Sequence, residues 1–600
     1  MTHLKNPVFI LFLVAVAAYP LLFPSNYTVG AGILVGVMAV ATVGFILLVG
    51  YARQLAVGQP VFCTIGGYGN ALLCTRLGMD PFLAMILSAG VAMTVAYLLG
   101  KPILKLRGYI LAMASLSLHL MVGFIAIQAE PLTGGAGGIW GIPRFAIAGI
   151  PLANDMSFFY FVWVLVVIAV VIGLVIDGSG IGRSLKAIAS SERASMSVGM
   201  DIARYKLQIF VLSAAMASIT GSLTVHYLRI MAPEVFGFQY ALSMITAVVA
   251  GGLNAVAGGV VGAMVVIGFR EGLRATGLPE LESIIMGALT VLVLITFPRG
   301  IVGAYELLVE RFRPRRATAS GASGTAPAPG GTLALTAPEI APPDAAAHQP
   351  ILVVEDVKRA FGSLKAVDGV GFTVQPGSIT SLIGSNGAGK TTMFDMISGL
   401  QTLNSGQISL TGHRIEALEP FQIARLGMAR SFQNLELFEN LTVAENVMAG
   451  THRYTRAGLL PTILMLPSVT AKERLARAEA ERWLDFVGMS AHRDRMPGTL
   501  SFGQQRLVEV ARALALRPTL LLMDEPASGL NDTETEALAD LLLRIRELGV
   551  TILLIEHDLR LVMGISSHLV VMNYGQKIAE GEPALVRKAP EVVAAYIGAR

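Results

Sequence analysis

The sequence predicts two halves of different class: a polytopic α-helical membrane domain, followed by an α/β domain built around a phosphate-binding loop. Three observations predict this. The first is composition: 54% of the 600 residues are hydrophobic and 14% are charged, against about 25% charged in an ordinary soluble domain. The second is that the apolar excess is confined to the first half, in runs of bilayer length. The third is a Gly-rich loop that follows a buried strand and opens a helix in the second half. A wholly soluble enzyme is excluded. So are disorder, a collagen-like fibre and a disulfide scaffold, because the chain is apolar, lacks a G-X-Y period and carries two cysteines, Cys63 and Cys74. Both cysteines lie in apolar segments and read as core residues. The net charge of +4 is small for this length, and nucleic-acid binding has no footprint in it.

The runs Val8 to Phe23, Gly30 to Val49, Phe82 to Leu99 and Phe158 to Ile176 are nearly free of charge. Each is close to the roughly 17 to 25 residues that span a bilayer. Further runs at Ile110 to Ala129, Leu207 to Tyr227, Tyr240 to Phe269 and Ile284 to Phe297 are studded with Gly, Ala and Ser, which suits close helix packing in lipid. About eight to ten crossings are expected. The first run follows Lys5 and reads as an uncleaved anchor, the alternative being a signal-peptide core with small residues at Ala15, Ala17 and Ala18. Orientation follows from the Lys/Arg bias. The loop from Asp177 to Lys206 carries Arg183, Lys186, Arg193, Arg204 and Lys206, and the last run is followed by Arg311, Arg313, Arg315 and Arg316; both belong in the cytoplasm. With both ends inside, Leu207 to Pro298 must cross an even number of times. The long run Tyr240 to Phe269 is therefore expected to break, Gly251 and Gly252, then Gly258 and Gly259, marking where it becomes either two short crossings or a re-entrant pair, which lipid allows only where backbone lines protein or a cavity and which often marks a transport path. Polar residues within spans, Gln54, Gln59, Asn70, Ser115, Ser117 and His119, either line such a path or bond helix to helix.

From Ala317 to Pro350 the chain is nearly all Ala, Pro, Gly, Ser and Thr, a composition that buries no core and reads as a flexible linker. Such a tether spans about 30 Å on average. The expected division is a membrane domain over 1–316, a linker over 317–350 and a soluble domain over 351–600, the last with alternating strand-like and helix-like segments.

Ser378 to Ile383 reads as a buried strand and runs into Gly384, Ser385, Asn386, Gly387, Ala388, Gly389, Lys390 and Thr391, a complete G-x-x-x-x-G-K-[ST] loop. Its glycines let backbone amides curl round phosphates, the following helix points its N-terminal dipole at them, Lys390 reaches the terminal phosphates, and the Thr391 hydroxyl can ligate Mg²⁺. Thr392 joins Thr391 at the helix start. A second apolar strand, Leu520 to Met523, ends in Asp524 and Glu525. Asp524 is placed to hold Mg²⁺ through water, and Glu525 to polarise the water that attacks the γ-phosphate.

Between these two motifs, Leu500, Ser501, Phe502, Gly503, Gln504, Gln505 and Arg506 resemble the signature of ABC-transporter ATPases. The resemblance covers the second half and implies an α/β P-loop fold with a helical subdomain. It implies roles for further residues: Phe361 as the adenine-stacking aromatic, Gln433 as the Q-loop glutamine that also reaches the metal, Ser528 to Asn531 as the D-loop, and His557, after the strand Thr551 to Ile555, as the switch histidine at the γ-phosphate. Nucleotide in this family is sandwiched between the phosphate loop of one domain and the signature of another, so Ser501, Gly503 and Gln504 are expected at the partner's ATP. Phe502 replaces the usual signature glycine and Asn531 the usual D-loop aspartate. Both substitutions resemble the branched-chain amino-acid subgroup, as do Asn573, Tyr574, Gly575, Lys577, Ile578, Ala579, Glu580 and Gly581. With Glu525 and His557 intact, hydrolysis is expected.

The first half resembles the permease of branched-chain amino-acid importers. The carriers are Gly50, Tyr51, Ala52, Gln54, Leu55, Gly58 and Gln59; Leu106, Arg107, Gly108, Leu111, Ala112, Met113 and Ala114; Leu132 to Gly135; and Phe297, Pro298, Arg299 and Gly300. The loop residues Ile181, Gly182, Arg183, Ser184, Leu185, Ala187, Ile188, Gly199, Arg204, Tyr205 and Lys206 fit the same pattern, and by that resemblance Arg183 to Gly199 holds the short coupling helix that docks on an ATPase domain near Gln433. Arg53 stands where such permeases usually have glycine. The resemblance implies a fused permease and ATPase, using ATP and Mg²⁺, in a bacterial cytoplasmic membrane. Its expected partners are a second permease, a second ATPase domain, an extracytoplasmic substrate-binding protein and the lipid bilayer, and its small-molecule substrate is a branched-chain amino acid or, in other relatives, urea, an amide or an aromatic acid. The rival readings are an exporter half, which predicts six long helices reaching well into the cytoplasm, and a non-transporting membrane sensor.

Overall fold

The computed structural model describes residues 7–106, 108–152, 154–275, 282–297, 300–312 and 349–597. The linker expected over 317–350 lies outside them apart from Gln349 and Pro350, as do Arg107, Pro298, Arg299, Arg313, Arg315 and Arg316. The chain divides into two compact units, one of Met1–Leu185 and Ala203–Ala328 with Thr462–Leu464, the other of Lys186–Ile202, Pro329–Pro461 and Met465–Arg600.

Among the described residues of the first unit, six helices are long and apolar enough to cross a membrane: Asn26–Tyr51, Pro81–Ile103, Tyr109–Gln128, Asp155–Asp177, Ile202–Leu228 and Pro233–Gly251. Pro7–Leu22, Ala257–Ala275 and Glu282–Thr296 are further apolar helices. The long run breaks at the first of the two glycine pairs, where the helix Phe238–Gly251 ends on Gly252, while Gly258 and Gly259 lie in the first turn of the next helix, Ala257–Ala275. One helix, Pro60–Leu77, corresponds to none of the apolar runs. Its Thr64, Gly66, Gly67 and Asn70 are buried against protein, so it has little need of the continuous apolar surface that lipid demands.

Helix packing in this unit depends on close backbone approach. A methyl placed on Gly221 would lie 2.0 Å from the Cys63 carbonyl oxygen, far inside contact distance. Gly221→Val is therefore expected to force Ile202–Leu228 and Pro60–Leu77 apart and to lower the thermal midpoint of the detergent-solubilised protein, an overpacking cost of about 1–3 kcal/mol. An unchanged midpoint would contradict the packing.

Internal hydrogen bonds account for several of the polar residues within spans. Gln59 Nε2 donates to Ser213 Oγ at 2.6 Å, Asn70 Oδ1 accepts from His226 Nε2 at 2.8 Å, and Ser115 Oγ accepts from the Gly58 amide at 3.3 Å. Gln54 Nε2 donates to the nearby Ala52 carbonyl, His119 is buried and Ser117 is exposed. Cys63 and Cys74 are buried free thiols, as their apolar surroundings predict. Arg53 adopts φ +47°, the left-handed region that glycine enters without steric cost.

The second unit is built on two sheets. Six strands run in the order Met428–Arg430, Leu520–Asp524, Thr551–Ile555, Ile379–Gly384, His568–Asn573 and Gln576–Gly581, the first five parallel and the last antiparallel. The three consecutive strands from Leu520–Asp524 to Ile379–Gly384 are buried at every position, as parallel strands covered on both faces must be. Beside them lies an antiparallel sheet of Leu364–Val374, Leu352–Phe361, Ser405–Leu410 and His413–Arg414. A helical subdomain of Val443–Gly450, Pro467–Phe486 and Phe502–Ala515 packs round the fully buried Trp483.

The segment Lys186–Ile202 belongs to this unit although the sequence assigns it to the first half. Its short helix Glu192–Ser197 is capped by Ser191, whose hydroxyl accepts from the Ala194 amide at 3.1 Å. Arg425 Nη2 donates to the Gly199 carbonyl at 3.2 Å, and the Glu439 amide donates to Ser190 Oγ at 3.2 Å. Arg193 and Ser197 line a crevice with Ile423, Arg430 and Phe432, the last adjoining Gln433.

Candidate nucleotide site

Three chain segments leave the carboxyl ends of adjacent parallel strands and meet in one cleft, the place where open α/β sheets bind ligands. The loop after Ile379–Gly384 leads into the helix Lys390–Ile397. Gly389 has φ +94°, and a methyl there would stand 2.2 Å from the Ala366 carbonyl oxygen, so only glycine fits. Lys390 Nζ donates to the Gly384 and Ser385 carbonyls at 2.8 and 2.9 Å. Burial lowers its pKa, while the Glu525 and Asp524 carboxylates oppose that shift. The cleft has a volume of about 1050 Å³ and is lined by Phe361, Asn386 to Thr392, Gln433, Glu525, His557 and Tyr574.

Glu525 is gripped on both oxygens. Gln433 Nε2 donates to Oε2 at 2.8 Å and His557 Nε2 to Oε1 at 2.5 Å. Its backbone is held at φ +48° by its own amide donating to Ile555 and by Ser528 donating back to its carbonyl. A non-glycine residue in this region stores strain, and such strain gathers at functional sites. The carboxylate is thereby aimed into the cleft by residues from three separate chain segments.

Asp524 sits differently. It is 2% exposed, its Oδ2 lies 3.5 Å from Arg430 Nη2, and its buried Oδ1 has no hydrogen-bond partner. Burial, opposed by Arg430 and assisted by Glu525 and Asp395, pushes its carboxyl up to about 6. An oxygen so placed would gain from a hard cation or its water. Phe361 stands half-exposed at the cleft, the Arg359 guanidinium 4.8 Å from its ring centre, with Tyr574 exposed across the mouth.

The structure thus brings together Phe361, the loop from Asn386 to Thr392, Gln433, Glu525 and His557. Gly384 and Ser385 lie under the loop, where Ser385 Oγ donates to Asn573 Oδ1 at 3.2 Å. Ser501, Gly503 and Gln504 do not line this cleft. Ser501 caps the helix Phe502–Ala515 and forms a reciprocal capping box with Gln504, and Phe502 packs on Gly529 of the D-loop. Two residues that position the site were not singled out from the sequence. Arg430 bonds Ser398 Oγ at 2.6 Å and Asp395 Oδ1 at 2.7 Å as well as facing Asp524. Glu556 accepts from the Ala527 amide at 2.7 Å and from the His557 amide at 3.0 Å, stitching the two loops together, and burial raises its pKa. The only signal for Glu556 was its place at the end of an apolar strand, beside His557.

A phosphate loop whose lysine, acid pair and glutamine converge in this way defines a P-loop ATPase, here in one chain with a polytopic helical membrane unit. A family model described as "ABC transporter" matches residues 367–528, and one described as "Branched-chain amino acid transport system / permease component" matches residues 27–294. The high-affinity branched-chain amino acid transport ATP-binding protein BraF of Pseudomonas aeruginosa is 43% identical over 251 residues, 42% of this chain and 98% of that protein. LivG of Escherichia coli, with the same description, is 41% identical over the same shares. A nucleotide-free ATP-binding cassette from an ABC transporter is 34% identical, with a TM-score of 0.37, covering 42% of this chain and all of that one. The chain belongs to the ABC transporter family, joining a permease component and an ATP-binding component in one polypeptide, and its ATPase is coupled to transport.

Proposed function

We propose that this chain forms one permease and ATPase half of an importer that carries branched-chain amino acids, or related small polar substrates, across the bacterial cytoplasmic membrane. The observation that carries the reading is the pairing of a branched-chain-type permease over residues 27–294 with an intact ATP site in the same chain. Relatives named for branched-chain amino acid transport support the substrate class. We assign the permease to 1–316, a tether to 317–350 and the ATPase to 351–600. Its partners are a second permease, a second ATPase domain and an extracytoplasmic substrate-binding protein.

In this reading the amides from Asn386 to Thr392 and Lys390 hold the β- and γ-phosphates, Phe361 stacks on the adenine, and Asp524, Thr391 and Gln433 hold Mg²⁺. The cation, when bound, neutralises charge on the phosphates. Glu525 takes a proton from the attacking water, and His557 and Gln433 keep its carboxylate turned toward that water. Ser501, Gly503 and Gln504, which do not line their own cleft, complete the site of the second ATPase domain. The bonds from Arg425 and Glu439 to the loop Lys186–Ile202 then give closure of the two ATPase domains a handle on the permease.

The test is uptake of labelled leucine, with urea and benzoate in parallel, by cells expressing the chain with its partner subunits. Leucine accumulation that disappears in a hydrolysis-deficient variant is the expected result. Accumulation of urea or benzoate alone would move the substrate class, and absence of all uptake beside normal ATPase activity would overturn the import reading. Benzoate is included because the exposed Arg53 guanidinium would favour an anion.

A further inference from the structure

The base side of the cleft rests on one exposed ring. Phe361 ends the strand Leu352–Phe361 and is 44% exposed where it lines the cleft. A free ring at a strand end samples several rotamers, and fixing it when nucleotide arrives costs affinity. The contacts around Phe361 remove that cost in advance.

Arg359, two residues earlier on the same strand, lays its guanidinium over one face of the Phe361 ring, 4.8 Å from the ring centre, within the range of a cation–π contact. The guanidinium is itself pinned. Its Nη2 donates to Gln401 Oε1 at 3.0 Å and its Nη1 to Thr402 Oγ1 at 3.2 Å. Its Nε is buried and has no hydrogen-bond partner among the described residues, a cost that a rotamer turned to solvent would avoid. The guanidinium is kept against the ring at the expense of one of its own bonds.

The pins lead back to the phosphate loop. Gln401 and Thr402 follow the helix Lys390–Ile397, which opens from that loop, and the Gln401 amide donates to the Asp395 carbonyl of the helix at 3.0 Å. Two residues further on, Asn404 clips the strand. Its Oδ1 accepts from the Ala360 amide at 2.8 Å, and its own amide donates to the Lys358 carbonyl at 2.9 Å. A continuous path of bonds thereby joins the helix that faces the phosphates to the ring that faces the base.

We propose that Arg359 is a positioning residue for nucleotide binding: with Gln401 and Thr402 it holds the Phe361 ring in place relative to the phosphate loop, covering one face and leaving the other for adenine. The proposal rests on the reading of Phe361 as the adenine's platform. It requires Arg359 to act on recognition of the base and not of the phosphates.

Binding of the non-hydrolysable analogue AMP-PNP and of inorganic tripolyphosphate to the detergent-solubilised full chain, each with Mg²⁺ and followed by calorimetry, separates the two. Arg359→Ala is expected to weaken AMP-PNP by about two- to tenfold, the range that ordering one side chain spans. Tripolyphosphate should bind it as it binds the native chain, which also shows the phosphate loop to be folded. Arg359→Lys, which keeps the charge but not the double pin, should fall between native and alanine. Phe361→Ala should weaken AMP-PNP by about tenfold or more, and adding Arg359→Ala to it should cost nothing further, because Arg359 acts only through the ring. Equal losses of both ligands in Arg359→Ala would overturn the proposal. So would native AMP-PNP affinity in Arg359→Ala beside a weakened Phe361→Ala, or a further loss in the double variant. Native affinity in Phe361→Ala would instead remove the platform itself, and both readings with it.

Discussion

Glu525→Gln is expected to leave ATP binding intact and to lower turnover by about 10² to 10⁴, the range a general base contributes. In the native site both carboxylate oxygens accept, one from Gln433 and one from His557. The amide replaces one acceptor by a donor. It cannot take the proton of the attacking water, and it turns an NH₂ toward one of two groups that are themselves donors. Nucleotide contacts from Asn386 to Thr392 are untouched, so binding of a fluorescent ATP analogue should stay within a few-fold while single-turnover hydrolysis collapses. His557→Ala should show a smaller fall, because the base remains and only one of its two supports is lost. Turnover at the native rate in Glu525→Gln would remove Glu525 from the role given to it.

The second large effect is structural. Glu509 lies 1% exposed in the helix that follows the signature, where it accepts from Arg506 at 2.7 Å and from the Phe432 amide at 3.3 Å, with Arg512 at 3.8 Å. Arg506 in turn donates to the Phe432 and Gln433 carbonyls at 2.9 and 3.1 Å. Glu509→Ala leaves two buried guanidiniums without their carboxylate. Breaking a buried pair from one side costs about 3–5 kcal/mol, or very roughly 6–20 °C in the melting temperature of a domain this size. Because Arg506 holds the backbone of Gln433, the variant should also lose turnover at temperatures where it remains folded. Glu509→Gln, which keeps the shape and one acceptor, should lose less on both counts. A melting temperature unchanged in Glu509→Ala would show that this network holds nothing together.

The same network shows where reading the sequence stopped. The phosphate loop from Gly384 to Thr391 was legible because its function needs consecutive residues: glycines for the turn, a lysine and a hydroxyl at the helix start. Asp524 and Glu525 were legible because they end an apolar strand. The broken run at Gly252 was legible because an even number of crossings demanded it and paired glycines offered the place. Arg430 and Glu509 were not, because a charged residue in a helix or at the end of a strand is read by default as a solvated one, and only packing shows that both are buried and bonded. The helix Pro60–Leu77 escaped for the converse reason: its small and polar residues face other helices, so it lacks the apolar signature that contact with lipid imposes.

Local sequence determined the class of each half, the phosphate loop, the acid pair and the positions of the apolar spans, since these depend on periodicity, hydropathy and short-range geometry. The tertiary structure alone decided that Gln433 and His557 share the two oxygens of Glu525 and that Asp524 is sealed beside Arg430 with one oxygen unpartnered. Those contacts join residues separated by 32 to 94 positions, and no local propensity encodes a pairing that exists only once parallel strands have brought their carboxyl ends side by side.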